Sequence, residues 1–226
     1  MFESKYSRLL TVLLIVGIVL IVTILGTTGY IIMRSGKLKQ EAENAVNNFQ
    51  NETNEVIENT QTNTIVTNEI TPIITPENLI NNNISNDNSE ENKKTYKGFP
   101  MVGTIEIPAI NLKYPVLEDA SKAAIEVAVG IYDGPGLNQV GNTTIAGHNY
   151  RDGRFFSNNK KLVEGDKVYI TDTTGQKITY TIYKIYTTSP EDSSYLDRDT
   201  EGRREISLTT CTDDAQSRLI IWAKEQ

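Results

Sequence analysis

An uncharged and strongly apolar run near the N-terminus constrains this chain more than any other feature of its sequence. No Asp, Glu, Lys or Arg occurs in the 25 residues from 9 to 33, which are rich in Leu, Ile and Val. At about 1.5 Å per residue, a helix of this length exceeds the roughly 30 Å hydrocarbon core of a bilayer. The run therefore predicts a transmembrane anchor over residues 9–33, preceded by a short terminal segment at 1–8.

A cleaved signal peptide is the competing interpretation, because Lys5 and Arg8 precede the apolar run. The apolar region of a signal peptide usually covers about 7–15 residues and ends at a small-residue cleavage site. This run is longer and continues past the Gly-Thr-Thr-Gly at 26–29, which favours an uncleaved anchor. The positive-inside rule does not orient the anchor, since Arg34, Lys37 and Lys39 balance the two N-terminal cations.

A change of composition marks residues 34–97 as a separate segment. They include 15 Asn, ten acidic and six basic residues, and only two aromatic ones. Low hydrophobicity with excess negative charge predicts a flexible stalk, and a dedicated partner-binding segment is the alternative. Within it, apolar residues at helical spacing predict a helix over 37–57. These residues are Leu38, Ala42, Ala45, Val46 and Phe49.

Short apolar runs separated by turn residues distinguish residues 98–226 as a folded domain. Eight candidate strands cover 102–107, 112–116, 128–132, 143–146, 167–171, 177–187, 205–210 and 218–223. Helical patterns are confined to 121–127 and to a turn around 154–159. Many short strands with turn signals between them predict an all-β fold, an eight-stranded closed or nearly closed β-barrel with one or two short helices.

Composition excludes several classes of function. The net charge is -7, and no segment is basic enough to bind nucleic acid by bulk electrostatics. One Cys and one His in 226 residues exclude an internal disulfide framework and a zinc site built from several Cys and His ligands.

The only His, the only Cys and one Arg all lie where a predicted strand meets a polar loop. His148 follows one strand, Cys211 ends another, and Arg218 begins the next one. If the last two strands are antiparallel neighbours, Cys211 and Arg218 lie side by side at one rim of the barrel. A nearby imidazole or guanidinium favours the nucleophilic thiolate, and Arg stabilises a developing oxyanion. Structural roles are the alternative, since a lone Cys is most often a small buried hydrophobe.

The sequence around these three residues resembles the sortase family. Thr-Ile-Ala-Gly-His-Asn at 144–149, Ser-Leu-Thr-Thr-Cys at 207–211 and Arg218 are similar to the family's His, Leu-x-Thr-Cys and Arg motifs. The similarity covers about residues 98–226 and includes Gly-Thr-Ile-Glu-Ile-Pro at 103–108. Sortases are membrane-anchored cysteine transpeptidases of Gram-positive bacteria with an eight-stranded barrel. The resemblance therefore implies an enzyme that attaches secreted proteins to the cell wall.

The resemblance also implies roles for individual residues. Cys211 would attack the carbonyl of a Thr in a sorting signal such as Leu-Pro-x-Thr-Gly and form a thioester. His148 would act as general acid and base, and Arg218 would stabilise the substrate carbonyl or its oxyanion. Thr210, Asn149 and Leu208, which lie within the same motifs, are the predicted substrate-binding residues.

The implied partners are secreted proteins that carry the signal, and an amine of a peptidoglycan precursor or of another protein. No cofactor or metal is required, although the acidic loop at 189–204 allows calcium as a less favoured option. The implied location is the cell membrane, crossed once, with the N-terminus cytoplasmic and the domain at 98–226 outside.

Subclass and chemistry leave alternatives open. The chain shows neither the Asp-Pro-aromatic lid nor the second membrane segment of pilin-polymerising sortases, which predicts a different type. A membrane-tethered cysteine hydrolase is the second enzyme hypothesis, although papain-like enzymes place Cys before His and the caspase signature is absent. The third hypothesis is a surface β-domain without enzymatic activity, in which the Cys is structural.

Overall fold

A computed structural model describes residues 3–63 and 94–226 of the chain. One long helix, α1, spans Glu3–Asn63, and nine strands follow it. The strands are β1 (Thr95–Tyr96), β2 (Phe99–Ile107), β3 (Leu112–Leu117), β4 (Val129–Asp133), β5 (Gly141–Ala146), β6 (Lys167–Asp172), β7 (Lys177–Thr188), β8 (Arg204–Cys211) and β9 (Arg218–Glu225).

Strands β2 to β9 close into an eight-stranded barrel. Their order is β2-β3-β4-β5-β8-β9-β7-β6, and pairing of β6 with β2 completes the ring. The eight predicted strands and the barrel are therefore confirmed. The two-residue β1, which the sequence pattern did not indicate, adds a short antiparallel pairing at the start of β2.

The barrel interior is filled by apolar side chains that alternate along the strands. On β2, Gly103, Ile105 and Ile107 are buried, and on β8 Ile206 and Leu208 are buried. This period of two is what the pleat of a strand imposes when one face packs on a core. The interior is thus a packed core, and any site has to lie at a rim or on the outside.

The short helices differ in place from the prediction. The two that form are 3-10 turns at Pro108–Ile110 and Asn159–Lys161. The pattern at 121–127 folds instead as hydrogen-bonded turns, in which the Ala128 N–H bonds the Ala124 carbonyl at 3.2 Å. Buried Ala124 and Ala128 fasten this segment to the barrel.

Helix α1 corrects the prediction of a flexible stalk for part of its length. Residues 34–63 are helical and continuous with the apolar run, so no flexible joint separates them. Ala42, Val46 and Phe49 are 0%, 0% and 2% exposed, because their stripe packs against the barrel. Composition averages hid this stripe, whereas its helical spacing indicated it. Residues 64–93 of the predicted stalk lie outside the described residues.

Polar contacts fix the same part of α1 to the turn between β1 and β2, to β2 and to β3. Glu41 pairs with Lys97 at 2.9 Å, and Gln50 donates to Glu106 at 2.7 Å. Lys113 donates to the Asn47 side chain at 2.9 Å. The helix therefore lies along the barrel instead of projecting from it.

The N-terminal part of α1 is not buried inside the described structure. Its apolar side chains between residues 9 and 33 are exposed. By length and composition this helix is long and apolar enough to cross a membrane. It is compatible with a single-pass anchor.

A buried ionic network holds the loop between β7 and β8 on the outside of the barrel. The Arg198 side chain is 9% exposed and donates to Tyr183, Glu205 and Asn142, each at 2.8 Å. Its guanidinium also lies 4.1 Å from the centre of the Trp222 ring. Both terminal nitrogens of this buried charge are hydrogen-bonded, and they fix the loop, because the loss of one partner would leave the other charge unpaired.

Candidate active site

Strands β5 and β8 bring the predicted His and Cys to the same rim. The two strands are parallel neighbours, with Ala146 opposite Thr209. The Gly147 N–H bonds the Thr209 carbonyl at 3.2 Å, and Asn149 Nδ2 bonds the Cys211 carbonyl at 3.0 Å. His148 lies two residues after Ala146, and Cys211 lies two residues after Thr209, which are the last positions that pair between β5 and β8. Both therefore project from adjacent strand ends.

Arg218 stands directly beside the thiol. Cys211 and Arg218 are opposite one another in the antiparallel pairing of β8 with β9. The guanidinium Nη1 lies 3.2 Å from Cys211 Sγ, and the Cys is half-buried. The predicted side-by-side arrangement is present, and it sets a permanent positive charge next to a reachable sulfur atom.

Gly147 allows the end of β5 to pack closely on the core just before His148. A Cβ at this position would lie 2.8 Å from a Val129 methyl and 2.9 Å from the Phe156 ring. Only glycine permits this approach without displacing the core. The close packing fixes the strand end on which His148 is carried.

A groove of about 330 Å³ opens next to the thiol. Three predicted site residues line it, namely Cys211, Thr210 and Asn149. The other walls come from the loop after β5, the end of β7 and the β8–β9 loop. They include Phe156, Lys160, Thr187, Leu219 and Asp213. A mixture of apolar walls and a few polar groups suits an extended peptide.

Asn149 ties the loop after β5 to the β8–β9 loop across this groove. Its Nδ2 donates to Asp213 at 2.9 Å as well as to the Cys211 carbonyl. Lys160 forms an ion pair with the same Asp213. The hydrogen bonds from Lys160 and then Asn149 hold the pKa of Asp213 below its usual value. Asp213 therefore stays ionised near neutral pH and keeps the two loops joined.

His148 has a carboxylate and a phenol beside it, neither of which the sequence indicated. Its Nε2 lies 3.5 Å from Glu126 Oε1, and its ring centre is 4.9 Å from that of Tyr150. The Tyr150 hydroxyl donates to Glu126 Oε2 at 2.5 Å. Glu126 lies in the turns at 121–127, where only tertiary contact reveals its relation to a distant His.

Two predicted substrate-binding residues have limited access. Leu208 is 0% exposed and belongs to the barrel core, so the expectation that it contacts substrate is wrong. It occupies an inward position of β8, where the strand's alternation sends it to the core. Thr210 is 5% exposed but lines the groove, and its Oγ1 is buried without a hydrogen-bond partner.

Among residues 3–63 and 94–226, no three His, Cys, Asp or Glu side chains converge where they could hold a metal ion. In the acidic loop between β7 and β8, carboxylates are engaged locally. Asp192 accepts from Thr188, and Glu201 pairs with Arg203.

Comparison with known proteins assigns the chain to a family. The family model for the sortase domain matches residues 105–226, which is more than half of the chain. Sortase A of Streptococcus agalactiae serotype III is 29% identical over 132 residues, covering 55% of this chain and 53% of that protein. Sortase D of Bacillus subtilis is 31% identical over 128 residues, covering 54% of this chain and 62% of that one. The chain thus spans about half the length of the curated relatives it matches.

Solved structures agree with the sequence comparisons. A Clostridium perfringens Sortase D5 transpeptidase is 29% identical with a TM-score of 0.52, covering 56% of this chain and 79% of that one. Sortase A of Corynebacterium diphtheriae is 28% identical with a TM-score of 0.52, covering 57% of this chain and 61% of that one. The shared part corresponds in extent to the barrel domain.

Proposed function

Because the chain belongs to the sortase family, we propose that it is a cysteine transpeptidase acting on sorting signals of the Leu-Pro-x-Thr-Gly type. The observation that carries the proposal is the rim itself, where the one Cys of the chain meets Arg218 Nη1 at 3.2 Å. The parallel pairing of β5 with β8 brings the one His to the same rim. This arrangement, with Cys211 lining a groove, supports the roles of acid–base group, nucleophile and fixed cation that we propose for the three residues.

In the first half-reaction, Cys211 Sγ attacks the carbonyl carbon of the signal's Thr. A new C–S bond forms, and the negative charge moves to the carbonyl oxygen. Arg218 is placed to stabilise this charge, because its guanidinium donors are fixed beside the sulfur and remain positively charged. As the tetrahedral intermediate collapses, the peptide C–N bond breaks and protonated His148 gives a proton to the leaving amine. A thioester remains on Cys211.

In the second half-reaction, an incoming amine replaces the residue that left. Neutral His148 takes a proton from this amine as it attacks the thioester carbonyl. The C–S bond then breaks, a new amide bond forms, and sulfur returns to its starting state beside Arg218. The proton that His148 gave up in the first half is recovered in the second, so the cycle is balanced.

The substrate would lie in the groove that Asn149 and Thr210 line together with Cys211. Thr210 Oγ1, buried and without a partner in the described structure, is a ready donor or acceptor for the peptide backbone. The incoming amine would belong to a peptidoglycan precursor or to another protein. No cofactor is needed for either half-reaction.

We further propose that residues 9–33 anchor the enzyme in the cell membrane, with residues 1–8 cytoplasmic and residues 98–226 outside. Residues 34–97 would connect the two parts. The exposed apolar side chains of residues 9–33 support the anchor. The proposed activity on secreted proteins supports the outward orientation. A chain with one Cys also suits an oxidising exterior, because no second thiol can trap the nucleophile internally.

A transfer assay tests the proposed reaction. The detergent-solubilised full chain is incubated with a panel of sorting-signal peptides and with triglycine or diaminopimelate as amine donors, and products are identified by mass spectrometry. The proposal predicts a new amide between the Thr of the signal and the added amine. The matched control is Cys211→Ala, which should form none.

The same assay separates the two enzyme hypotheses. If peptides are cleaved after Thr but never joined to any amine, the protein is a hydrolase. If neither cleavage nor transfer occurs with any signal, the proposal of a peptide-cleaving enzyme is wrong. A surface domain with a structural Cys would also leave Cys211 unreactive toward a methanethiosulfonate reagent in the folded state.

A further inference from the structure

The two proposed half-reactions use only one of the two ring nitrogens of His148, and the other nitrogen has no role in them. Nε2 is buried from solvent and makes no hydrogen bond. Glu126 Oε1 lies 3.5 Å away, which is an ion-pair distance slightly too long for a formed hydrogen bond. A buried ring nitrogen without a partner is unusual, since the great majority of buried polar atoms are hydrogen-bonded. The one carboxylate described next to it is therefore a candidate partner.

Tyr150 and the turns at 121–127 hold that carboxylate in place. The Tyr150 hydroxyl donates to Glu126 Oε2 at 2.5 Å, while the Tyr150 N–H bonds Ser157 Oγ at 3.1 Å. Burial, followed by the contact with Glu126, raises the pKa of Tyr150 to about 12. Tyr150 thus keeps its proton at neutral pH and remains a donor. Glu126 is fixed from one side by Tyr150 and from the other by its own turn.

We propose that Glu126 is a positioning residue for His148. Its Oε1 accepts a hydrogen bond from Nε2–H, so that Nδ1 is the nitrogen that gives and takes protons during transfer. The bond on one ring nitrogen of a His sets the tautomer and orientation of the ring. Catalytic hydrogen bonds are often long before substrate binds, and a small movement of the His148 ring toward the fixed Glu126 would close this one. The inference rests on the proposed function and adds a residue to its machinery.

The exposure of the Glu126 side chain indicates that its contact with His148 contributes more to the reaction than to the stability of the fold. The Glu126 side chain is 53% exposed, and exposed ion pairs contribute little to stability. Its removal should therefore change the rate of transfer while leaving unfolding almost unaffected. A purely structural role would produce the opposite result.

The kinetic test compares Glu126→Ala, Glu126→Gln and Tyr150→Phe in the full chain. Glu126→Ala should lower kcat about tenfold or more, the size typical when the partner orienting a functional His is lost, with KM nearly unchanged. Glu126→Gln keeps an acceptor oxygen and should recover most of kcat, and Tyr150→Phe should fall between. Glu164→Gln, an exposed acid between Asn159–Lys161 and β6, is the matched control. Unchanged kcat in Glu126→Ala, or a Gln variant no better than Ala, would overturn the proposal.

A spectroscopic test needs no activity. Because the chain has one His, an imidazole N–H signal in a sample labelled with [15N]His can only come from His148. The proposal predicts a slowly exchanging Nε2–H signal in the wild type and in Cys211→Ala, and its loss in Glu126→Ala. A signal that survives in Glu126→Ala, or one missing from the wild type, would refute the positioning role. If the wild type transfers no peptide, this result still decides the role of Glu126, and the two failures remain distinct.

Discussion

At the scale of single residues, the pair formed by Cys211 and Arg218 is central to the proposed chemistry. A thiol is a weak nucleophile, and its ionised form, the thiolate, is a strong one. A neighbouring guanidinium stabilises a thiolate in general and does not itself lose its proton. Arg218 Nη1 lies 3.2 Å from Cys211 Sγ before any substrate is bound. In the proposed reaction the same donors would also face the oxyanion once attack begins, so one residue would serve both states.

Replacing Arg218 by Lys should separate charge from geometry. Lys keeps the positive charge but loses the planar fork that can face sulfur and oxygen together. We expect kcat/KM for transfer to fall about 10²-fold or more, the loss usual for one oxyanion donor. Steady-state transfer kinetics measure this, and the melting temperature checks the fold.

The control for this substitution is Arg203→Lys, which changes an Arg that pairs with Glu201 on the surface outside the site. It should leave transfer unchanged. If Arg218→Lys also retains wild-type kcat/KM, the guanidinium has no special role in the reaction.

At the scale of secondary-structure elements, part of helix α1 packs on the barrel and belongs to the folded domain. Its buried stripe of Ala42, Val46 and Phe49 covers outward-facing positions of the barrel. Thr104 on β2 points outward but is 0% exposed, and Gln50 reaches it. Apolar area removed from water, more than the exposed ion pairs around it, holds the helix there.

Truncating the largest side chain of this stripe should release the helix. Phe49→Ala removes a buried ring that also lies under the Lys94 ammonium, and should cost about 3–5 kcal/mol of the docked state. Hydrogen exchange of the amides in residues 38–53 and the melting temperature report the loss. Asn48→Ala, on the exposed side of the same helix, is the matched control and should change neither. Unchanged exchange in Phe49→Ala would mean that the helix does not dock in solution.

The elements also show what could be read from the sequence. All eight barrel strands follow from alternation and turn residues, because both are local. The rim positions of Cys211 and Arg218 follow from the next inference, that consecutive strands pair. The docking of α1 does not follow from composition, because the acidic, Asn-rich average of residues 34–97 masks a short apolar stripe. The contact of Glu126 with His148 could not be predicted, because no spacing in the sequence links it to a residue 22 positions later.

At the scale of the whole molecule, the pairings orient the site relative to α1. Strands β2, β5 and β8 run in the same direction around the barrel, and Cys211 stands at the end of β8. Helix α1 follows β2 in that direction, from Glu41 beside Lys97 to Gln50 beside Glu106. The apolar run of α1 therefore leaves the barrel at the end away from Cys211. The rim that carries Cys211 and the apolar part of α1 therefore lie at opposite ends of the barrel.

The central claim, that Cys211 forms a covalent acyl intermediate with a sorting signal, has a direct test. Intact mass spectrometry of the full chain, mixed with a signal peptide and no added amine, should show an increase equal to the acyl fragment ending in Thr. Proteolysis should place this mass on Cys211, and hydroxylamine should release it, as expected for a thioester. Failure of the wild type to gain this mass with every signal peptide, while the Cys211 thiol remains reactive, would contradict the account.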